Sequence, residues 1–204
     1  MSANRYVAAG WASIASAVGT FAVLGLSFVF ELAKGFEPGR GIAPTVWTLR
    51  QVALVASVDA VAWALGIYAL IRFRDLLRER YEFHAVDHLI WVVIGAGLLA
   101  AIVSYGHRLM MLEGAGSVAA GFASMLVLGI LNGIVGIVFA TRLRRVNGNL
   151  NGYKNALVYV YLAGSICFLL VVPALVGMVL LSVWGVLLGL VFFRGEELEE
   201  LEVV

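Results

Sequence analysis

The segment from Asn155 to Phe193 contains thirty-nine residues and no charged side chain. A bilayer hydrocarbon core is about 30 Å thick, and about 20 helical residues cross it at 1.5 Å per residue. One helix of this length would extend about 58 Å, which is more than tilt can accommodate. The segment is therefore predicted to form two spans, 155–171 and 175–193. Proline breaks helices, so the bend is predicted between Pro173 and Gly177.

The composition of the chain is typical of a membrane protein. The sequence is 62% hydrophobic and 13% charged, whereas soluble domains average about 25% charged residues. We predict an all-α, polytopic membrane helical bundle in which residues 1–204 form a single transmembrane domain without a soluble domain. The net charge of +1 indicates no nucleic-acid partner. The single cysteine, Cys167, excludes a disulfide within one chain.

Six transmembrane helices are predicted from the apolar runs, with five as the alternative. The first is too long for the apolar region of a signal peptide and is expected to be retained. The second helix is expected to continue through Arg80. The residues 107–117 are predicted to form a connection, 147–152 a turn and 195–204 an acidic cytoplasmic tail. The predicted spans are 7–30, 51–71, 88–106, 118–141, 155–171 and 175–193.

The distribution of Lys and Arg predicts the orientation. Six spans place ten basic residues on one side and four on the other, whereas five spans give nine against five. Lys and Arg accumulate in cytoplasmic loops. The count therefore favours six spans in the cell membrane, with both termini cytoplasmic.

Four short motifs in the last two spans resemble a known family: Tyr153-Lys-Asn-Ala156, Leu162-Ala-Gly-Ser165, Leu181-Ser-Val-Trp-Gly-Val186 and Leu190-Val-Phe-Phe193. The pattern is similar to a small multi-span membrane family, found mainly in archaea and known only as a domain of unknown function. The resemblance is looser from Ala62 to the first of these motifs. It implies a multi-span fold and no catalytic or binding residues, because the family has none assigned.

An acidic residue, Asp59, lies eight residues into the second span, about 12 Å below its outer edge. A carboxyl group at that depth is costly unless it is paired, and it usually faces the bundle or a pathway. Ser57 and Ser124 are the nearest polar candidates if spans two and four pack together. We interpret Asp59 as a protonated acid in one interhelical hydrogen bond. The alternative is a proton- or ion-binding group on a transport pathway.

Small residues four apart occur as Gly129 and Gly133 in span four and as Gly185 and Gly189 in span six. Such pairs let helix backbones approach each other in lipid. We interpret them as packing positions within the chain, and the alternative is a face for a second copy or another membrane subunit. Asn132, beside the first pair, is interpreted as an interhelical hydrogen-bonding residue.

The histidines do not predict a metal site. His84 and His88 are four apart and could share a helix face, but two imidazoles are too few. A haem would need histidines on different helices at one depth, and His107 lies at the opposite end of span three. We therefore predict no metal, no cofactor and, since no nucleophile–base pair or phosphate loop occurs, no enzyme activity.

Arginines at the ends of spans two and four are candidates for contact with anionic lipid head groups. The orientation rule alone also accounts for them. They are Arg72, Arg74, Arg142, Arg144 and Arg145.

A faint internal repeat has an offset of seventy residues. Gly66 and Arg72 align without gaps with Gly136 and Arg142. Parallel repeats occur in some transporters. Any two spans that end on the same side share this pattern, so a duplication is the weaker interpretation.

Two functions follow from these features. The first is a non-enzymatic structural or assembly component of a membrane, which predicts a filled interior with Asp59 capped by its neighbours. The alternative is a small-solute, ion or proton transporter or channel using Asp59, which predicts a water-accessible cavity that reaches this residue.

The six-span topology can be tested by labelling. Single cysteines at Ser2→Cys and Val204→Cys, each in a Cys167→Ser background, are expected to react with a membrane-impermeant maleimide from the same side of sealed vesicles. An even number of crossings returns the chain to its starting side. Reaction from opposite sides would establish the five-span alternative.

Overall fold

A computed structural model of the chain describes residues 5–35, 48–112, 118–170 and 174–194. These residues form six α-helices, with no strand in the described ranges. A 3₁₀-helix at Leu150–Gly152 lies before the fifth. The predicted all-α helical bundle is confirmed. The helices are α1 (Val7–Gly35), α2 (Leu49–Tyr81), α3 (Asp87–Leu112), α4 (Val118–Leu143), α5 (Lys154–Leu169) and α6 (Ala174–Arg194).

Five of these helices are long and apolar enough to cross a membrane, and the chain is accordingly an integral membrane protein. The fifth helix, α5, is apolar but has only 16 residues. That length is about 24 Å, which is less than the thickness of a typical hydrocarbon core. The uncharged segment does form two helices, and α5 is the shorter one. The apolar spans are Val7–Ser27, Leu49–Tyr81, Asp87–Gly106, Leu126–Leu143 and Val176–Arg194.

The six helices form a closed ring in chain order. Each helix packs on the next, and α6 packs on α1. Directions alternate around the ring. Asn151, just before α5, donates from Nδ2 to the carbonyl oxygen of Val191 near the end of α6, at 3.0 Å. A Cβ at Gly10, near the start of α1, would contact the ring of Phe193 at the end of α6. The bundle is therefore an up-and-down ring with antiparallel neighbours.

The glycine pair in α4 packs against α5. A Cβ at Gly133 would lie 2.9 Å from the carbonyl oxygen of Ser165 and 2.7 Å from Cγ of Leu169. A Cβ at Gly129 would lie 3.3 Å from the carbonyl oxygen of Phe168. The distances to Ser165 and Phe168 involve backbone oxygens, which cannot easily move aside. This face of α4 is therefore occupied within the chain.

The glycine pair in α6 packs against α1 in the same way. A Cβ at Gly189 would lie 3.0 Å from the carbonyl oxygen of Gly10 and 2.6 Å from Cγ1 of Ile14. At Gly185 it would lie 3.2 Å from Cβ of Ala17. The contact between α1 and α6 closes the ring, and it depends on the absence of side chains here.

One end of the ring, which we call the basic end, carries Arg5, the arginines at 72–80 and 142–145, Lys154 and Arg194. There the start of α1 is fixed to α2 and α6. Tyr6 stacks on Phe192 at 5.9 Å and donates from its hydroxyl group to Glu79 at 2.7 Å. Burial and the bond to Glu79 raise the pKa of Tyr6 to about 12, so the phenol stays protonated near neutral pH. Because Tyr6 and Phe192 are in contact, the first and last described residues lie at the same end of the ring.

The helix α2 runs on to Tyr81, which confirms the predicted continuation through Arg80. Glu82 then adopts a left-handed conformation with φ 48°, and Phe83 donates its N–H to the carbonyl oxygen of Leu77 at 3.0 Å. This arrangement is typical of a helix C-terminus. Asp87 at the start of α3 fastens the connection, because its carboxylate pairs with Arg78 at 2.7 Å.

Two predicted boundaries were wrong. The helix α3 extends to Leu112, so 107–112 of the predicted connection are helical. These residues include no proline or glycine to end a helix. The helix α6 begins at Ala174 and contains Gly177, which was placed in the bend. A Cβ at Gly177 would lie 3.0 Å from the carbonyl oxygen of Gly164, so this glycine allows close packing on α5. Pro173 and the tail 195–204 lie outside the described residues.

The glycine contacts can be tested by matched alanine substitutions. Gly133→Ala is expected to lower the free energy of unfolding by about 1–3 kcal/mol, since it forces α4 away from α5. Gly95→Ala in α3 is the control. A Cβ there meets nothing within 4 Å, and alanine favours helix by about 1 kcal/mol over glycine. SDS titration in bicelles measures the free energy of unfolding of both variants. Equal effects of Gly133→Ala and Gly95→Ala would contradict the proposed packing of Gly133 on α5.

Candidate functional site

A cavity of about 220 Å³ lies inside the ring, and all six helices contribute to its wall. Most of the wall is apolar, with contributions from Ala62, Val93 and Leu188. None of the described residues that line it is charged. Besides the indoles of Trp63 and Trp184, the polar side chains of the wall are those of Ser13, Ser16, Thr20, Asn132, Tyr161 and Ser182.

An aromatic cluster separates this cavity from the basic end. The cluster is formed by Phe73 of α2, Phe139 of α4, Tyr161 of α5, and Trp184 and Phe192 of α6. The ring centroids of Tyr161 and Trp184 are 4.9 Å apart, and those of Phe139 and Tyr161 are 5.0 Å apart. Phe73, Phe139 and Phe192 are fully buried. The cavity therefore has an aromatic floor, of which Tyr161 and Trp184 form the surface.

Two serines of α1 hydrogen-bond to neighbouring helices at the cavity wall. Ser13 donates to the carbonyl oxygen of Gly185 in α6 at 2.7 Å. Ser16 donates to the carbonyl oxygen of Ala62 in α2 at 2.8 Å. Each hydroxyl hydrogen is used in these bonds, so the serine oxygens remain available only as acceptors.

Asn132 lines the cavity, but its hydrogen bond differs from the predicted one. Its Nδ2 donates to the carbonyl oxygen of Leu128, one turn earlier in α4, at 2.8 Å. The interpretation of Asn132 as an interhelical hydrogen-bonding residue was therefore wrong. The short amide side chain of an asparagine can bond to a backbone carbonyl of the preceding turn of its own helix. Its Oδ1 makes no hydrogen bond to another residue that the structure describes.

The floor of the cavity carries two polar groups that have no hydrogen-bond partner among the described residues. Tyr161 is 8% exposed, and its hydroxyl group makes no hydrogen bond within the described part of the chain. Trp184 is 6% exposed, and its Nε1 is buried with no partner there either. Buried donors are normally satisfied, so the indole nitrogen of Trp184 needs an explanation, and the hydroxyl group of Tyr161 lies in the cavity wall near it. Both side chains were missed by the sequence analysis, because nothing in an apolar run shows which aromatic residues turn inward.

Asp59 lies outside the cavity, at the contact of α2 with α3. The carboxylate of Asp59 accepts a hydrogen bond of 2.5 Å from the hydroxyl group of Tyr105. Asp59 therefore makes an interhelical hydrogen bond, as predicted, but its partner is Tyr105. Ser57 instead donates to the carbonyl oxygen of Ala53 in its own helix. The side chain of Ser124 is outside the described residues. Tyr105 was missed because the sequence does not show which side chains of α2 and α3 face each other.

The arginines proposed as lipid ligands differ in their surroundings. Arg72 and Arg74 both pair with Asp75, at 3.7 and 3.1 Å. Arg72 also lies over the ring of Tyr68, and Arg74 over that of Trp91, each 5.5 Å from the centroid. By contrast, three arginines at the end of α4 are exposed and have no ion pair among the described residues: Arg142, Arg144 and Arg145.

The structure gives no functional contact to the two histidines of the metal hypothesis or to the glycines of the internal repeat, among the residues that it describes. Nδ1 of His84 lies 3.4 Å from Asp87, whereas His88 is exposed. No group of three or more metal-ligating side chains occurs in the part of the chain that the structure describes. The aligned repeat glycines lie in unlike places, since a Cβ at Gly66 meets Ser16 of the preceding helix and one at Gly136 meets Ser165 of the following helix.

No protein-family model, curated protein or solved structure matches the chain. The resemblance to the archaeal membrane family stays a prediction. The class of molecule that the cavity can bind is inferred here from the side chains of its wall. An apolar wall with a few hydroxyl and amide groups suits an uncharged molecule, because an ion would lose its hydration without gaining a charged partner.

The contact of Asp59 with Tyr105 can be tested in the same helix pair. Tyr105→Phe is expected to lower the free energy of unfolding by about 1–3 kcal/mol, because it leaves the Asp59 carboxylate without its donor. Asp59→Asn keeps an oxygen acceptor and is expected to cost less. The control is Tyr159→Phe, on a side chain that is 57% exposed. SDS titration measures all three, and equal values for Tyr105→Phe and Tyr159→Phe would contradict the contact.

Proposed function

We propose that the protein is a non-enzymatic membrane protein that binds a small uncharged solute within its ring of helices and allows it to cross the bilayer. The observation that carries this proposal is the central cavity, whose wall includes residues from all six helices. Ligand sites in helical bundles lie between the helices. Substrate sites of transporters lie near the middle of the bilayer.

The proposed pathway does not use Asp59. The cavity wall does not include this residue, and its carboxylate is already bonded to Tyr105. The role we propose for Asp59 is to join α2 to α3. Transport of a neutral solute is therefore expected to persist when Asp59 is replaced by asparagine.

We propose that the basic end faces the cytoplasm of the cell, because Lys and Arg accumulate on that side. Both termini would then be cytoplasmic. The arginines at 142, 144 and 145 would contact anionic lipid head groups, since they are exposed and have no ion pair among the described residues.

A structural or assembly role is the second candidate. The observations that favour it are the bonds of Ser13 and Ser16 to neighbouring helices and the bond of Tyr105 to Asp59. These contacts make a rigid bundle, which is what a scaffold for other membrane subunits requires. Under this candidate the cavity has no role in solute movement.

Flux measurements separate the two candidates. Proteoliposomes are mixed rapidly with acetamide or glycerol, and the rate of reswelling is followed by light scattering. Wild-type protein is expected to accelerate reswelling relative to empty liposomes. Val93→Phe places a larger side chain in the cavity wall and is expected to reduce the protein-dependent rate about tenfold, the effect of roughly 1.4 kcal/mol on a barrier.

The matched control is Val92→Phe, which makes the same change on the neighbouring side chain. Val92 is 48% exposed on the outside of the ring. The solute flux of the Val92→Phe variant is expected to equal that of the wild type. The same is expected of the Asp59→Asn variant. If the wild type does not accelerate either solute, the transport proposal is wrong and the structural role is favoured.

A further inference from the structure

We propose that the cavity binds an uncharged, compact, mainly apolar molecule that carries an oxygen acceptor, and that the hydroxyl group of Tyr161 donates the hydrogen bond that orients it. The inference rests on the proposed function only in placing the solute in the cavity. It adds the chemical class of the ligand and the residue that selects it.

The volume of the cavity sets the size of the ligand. An apolar cavity of about 150 Å³ accommodates benzene in another protein. The present cavity of about 220 Å³ is therefore large enough for a ring compound of about nine heavy atoms. Its largely apolar wall favours a hydrocarbon body.

The floor of the cavity selects an acceptor. Tyr161 is more than nine-tenths buried and lines the cavity, and its hydroxyl group has no hydrogen bond to another described residue. The adjacent indole nitrogen of Trp184 has no partner in this part of the chain. An indole N–H can only donate, and a phenol donates readily. A carbonyl or ether oxygen at the floor would satisfy an otherwise unpaired donor.

The upper wall complements this floor. The hydroxyl groups of Ser13 and Ser16 donate to backbone carbonyls of α6 and α2, and neither of them makes a hydrogen bond with Tyr161. Within the described part of the chain, no charged side chain lines the cavity. A carboxylate or ammonium ligand would be buried without a counter-ion, which disfavours charged compounds.

Two probes of equal shape test this inference. Acetophenone carries a carbonyl oxygen, and α-methylstyrene has a CH₂ group in the same place. Purified full-length protein in nanodiscs is heated with each probe, with the concentrations of the probes in the bilayer made equal. The increase in Tm reports the affinity for the folded state.

Wild-type protein is expected to bind acetophenone about three- to tenfold more tightly than α-methylstyrene, the effect of one net hydrogen bond. Tyr161→Phe removes only the hydroxyl group and keeps the ring in the aromatic floor. We expect this variant to bind both probes equally. Tyr159→Phe, the same change on the exposed face of α5, is expected to keep the wild-type preference.

Binding inside the ring has its own check, since both probes also dissolve in lipid. Val93→Phe narrows the cavity and is expected to remove the increase in Tm for both probes, whereas Val92→Phe is expected to retain it. Increases that are the same in all these variants would show that the probes act through the bilayer, and this result would overturn the inference.

The inference and the proposed function can fail separately. A preference for acetophenone that persists in Tyr161→Phe, or its absence from the wild type, overturns the role of Tyr161, even if solute flux occurs. A preference that depends on Tyr161 in a protein without solute flux supports the binding site and overturns transport.

Discussion

The close approach of helix backbones at glycine is the constraint on which the structure depends. Lipid is as apolar as the helices, so burial of apolar surface does not drive them together as it does in water. At Gly133 and Gly189 an added Cβ would come within about 3 Å of a carbonyl oxygen on the next helix. The pair formed by Gly164 and Gly177 joins α5 to α6 in the same way. These contacts join α4 through α6 and close the ring on α1.

The ring is filled unevenly, and this produces the candidate site. Toward the basic end the aromatic cluster of Phe73, Phe139 and Trp184 occupies the interior. Farther along, the inner faces carry small residues such as Ala62, Gly66 and Gly185, which leave the cavity unfilled. Small residues that allow helices to pack can thus also leave space where more than two helices meet. A donor such as the hydroxyl group of Tyr161 is then exposed to that space.

Much of the fold could be predicted because it follows from length and charge. The hairpin of α5 and α6 follows from an uncharged run too long for one span, and the extension of α2 follows from the lack of a breaker before Tyr81. The partner of Asp59 could not be found, because the spacing of residues in two apolar helices does not show that Tyr105 of α3 faces Asp59 of α2. Packing of the glycine pairs within the chain was also predicted, but their partner helices were not.

The sequence by itself determined that this chain is an integral membrane bundle of apolar helices, because backbone groups in lipid must be satisfied within each helix. It also determined where charge is excluded, since ionisable groups are costly there. Only the tertiary structure decided which face of each helix turns inward. In an all-apolar run the inward and outward faces have similar composition, as Tyr159 and Tyr161 show, with 57% and 8% exposure on one helix. The cavity and its unpaired donors depend on that choice, which arises from contacts between distant helices.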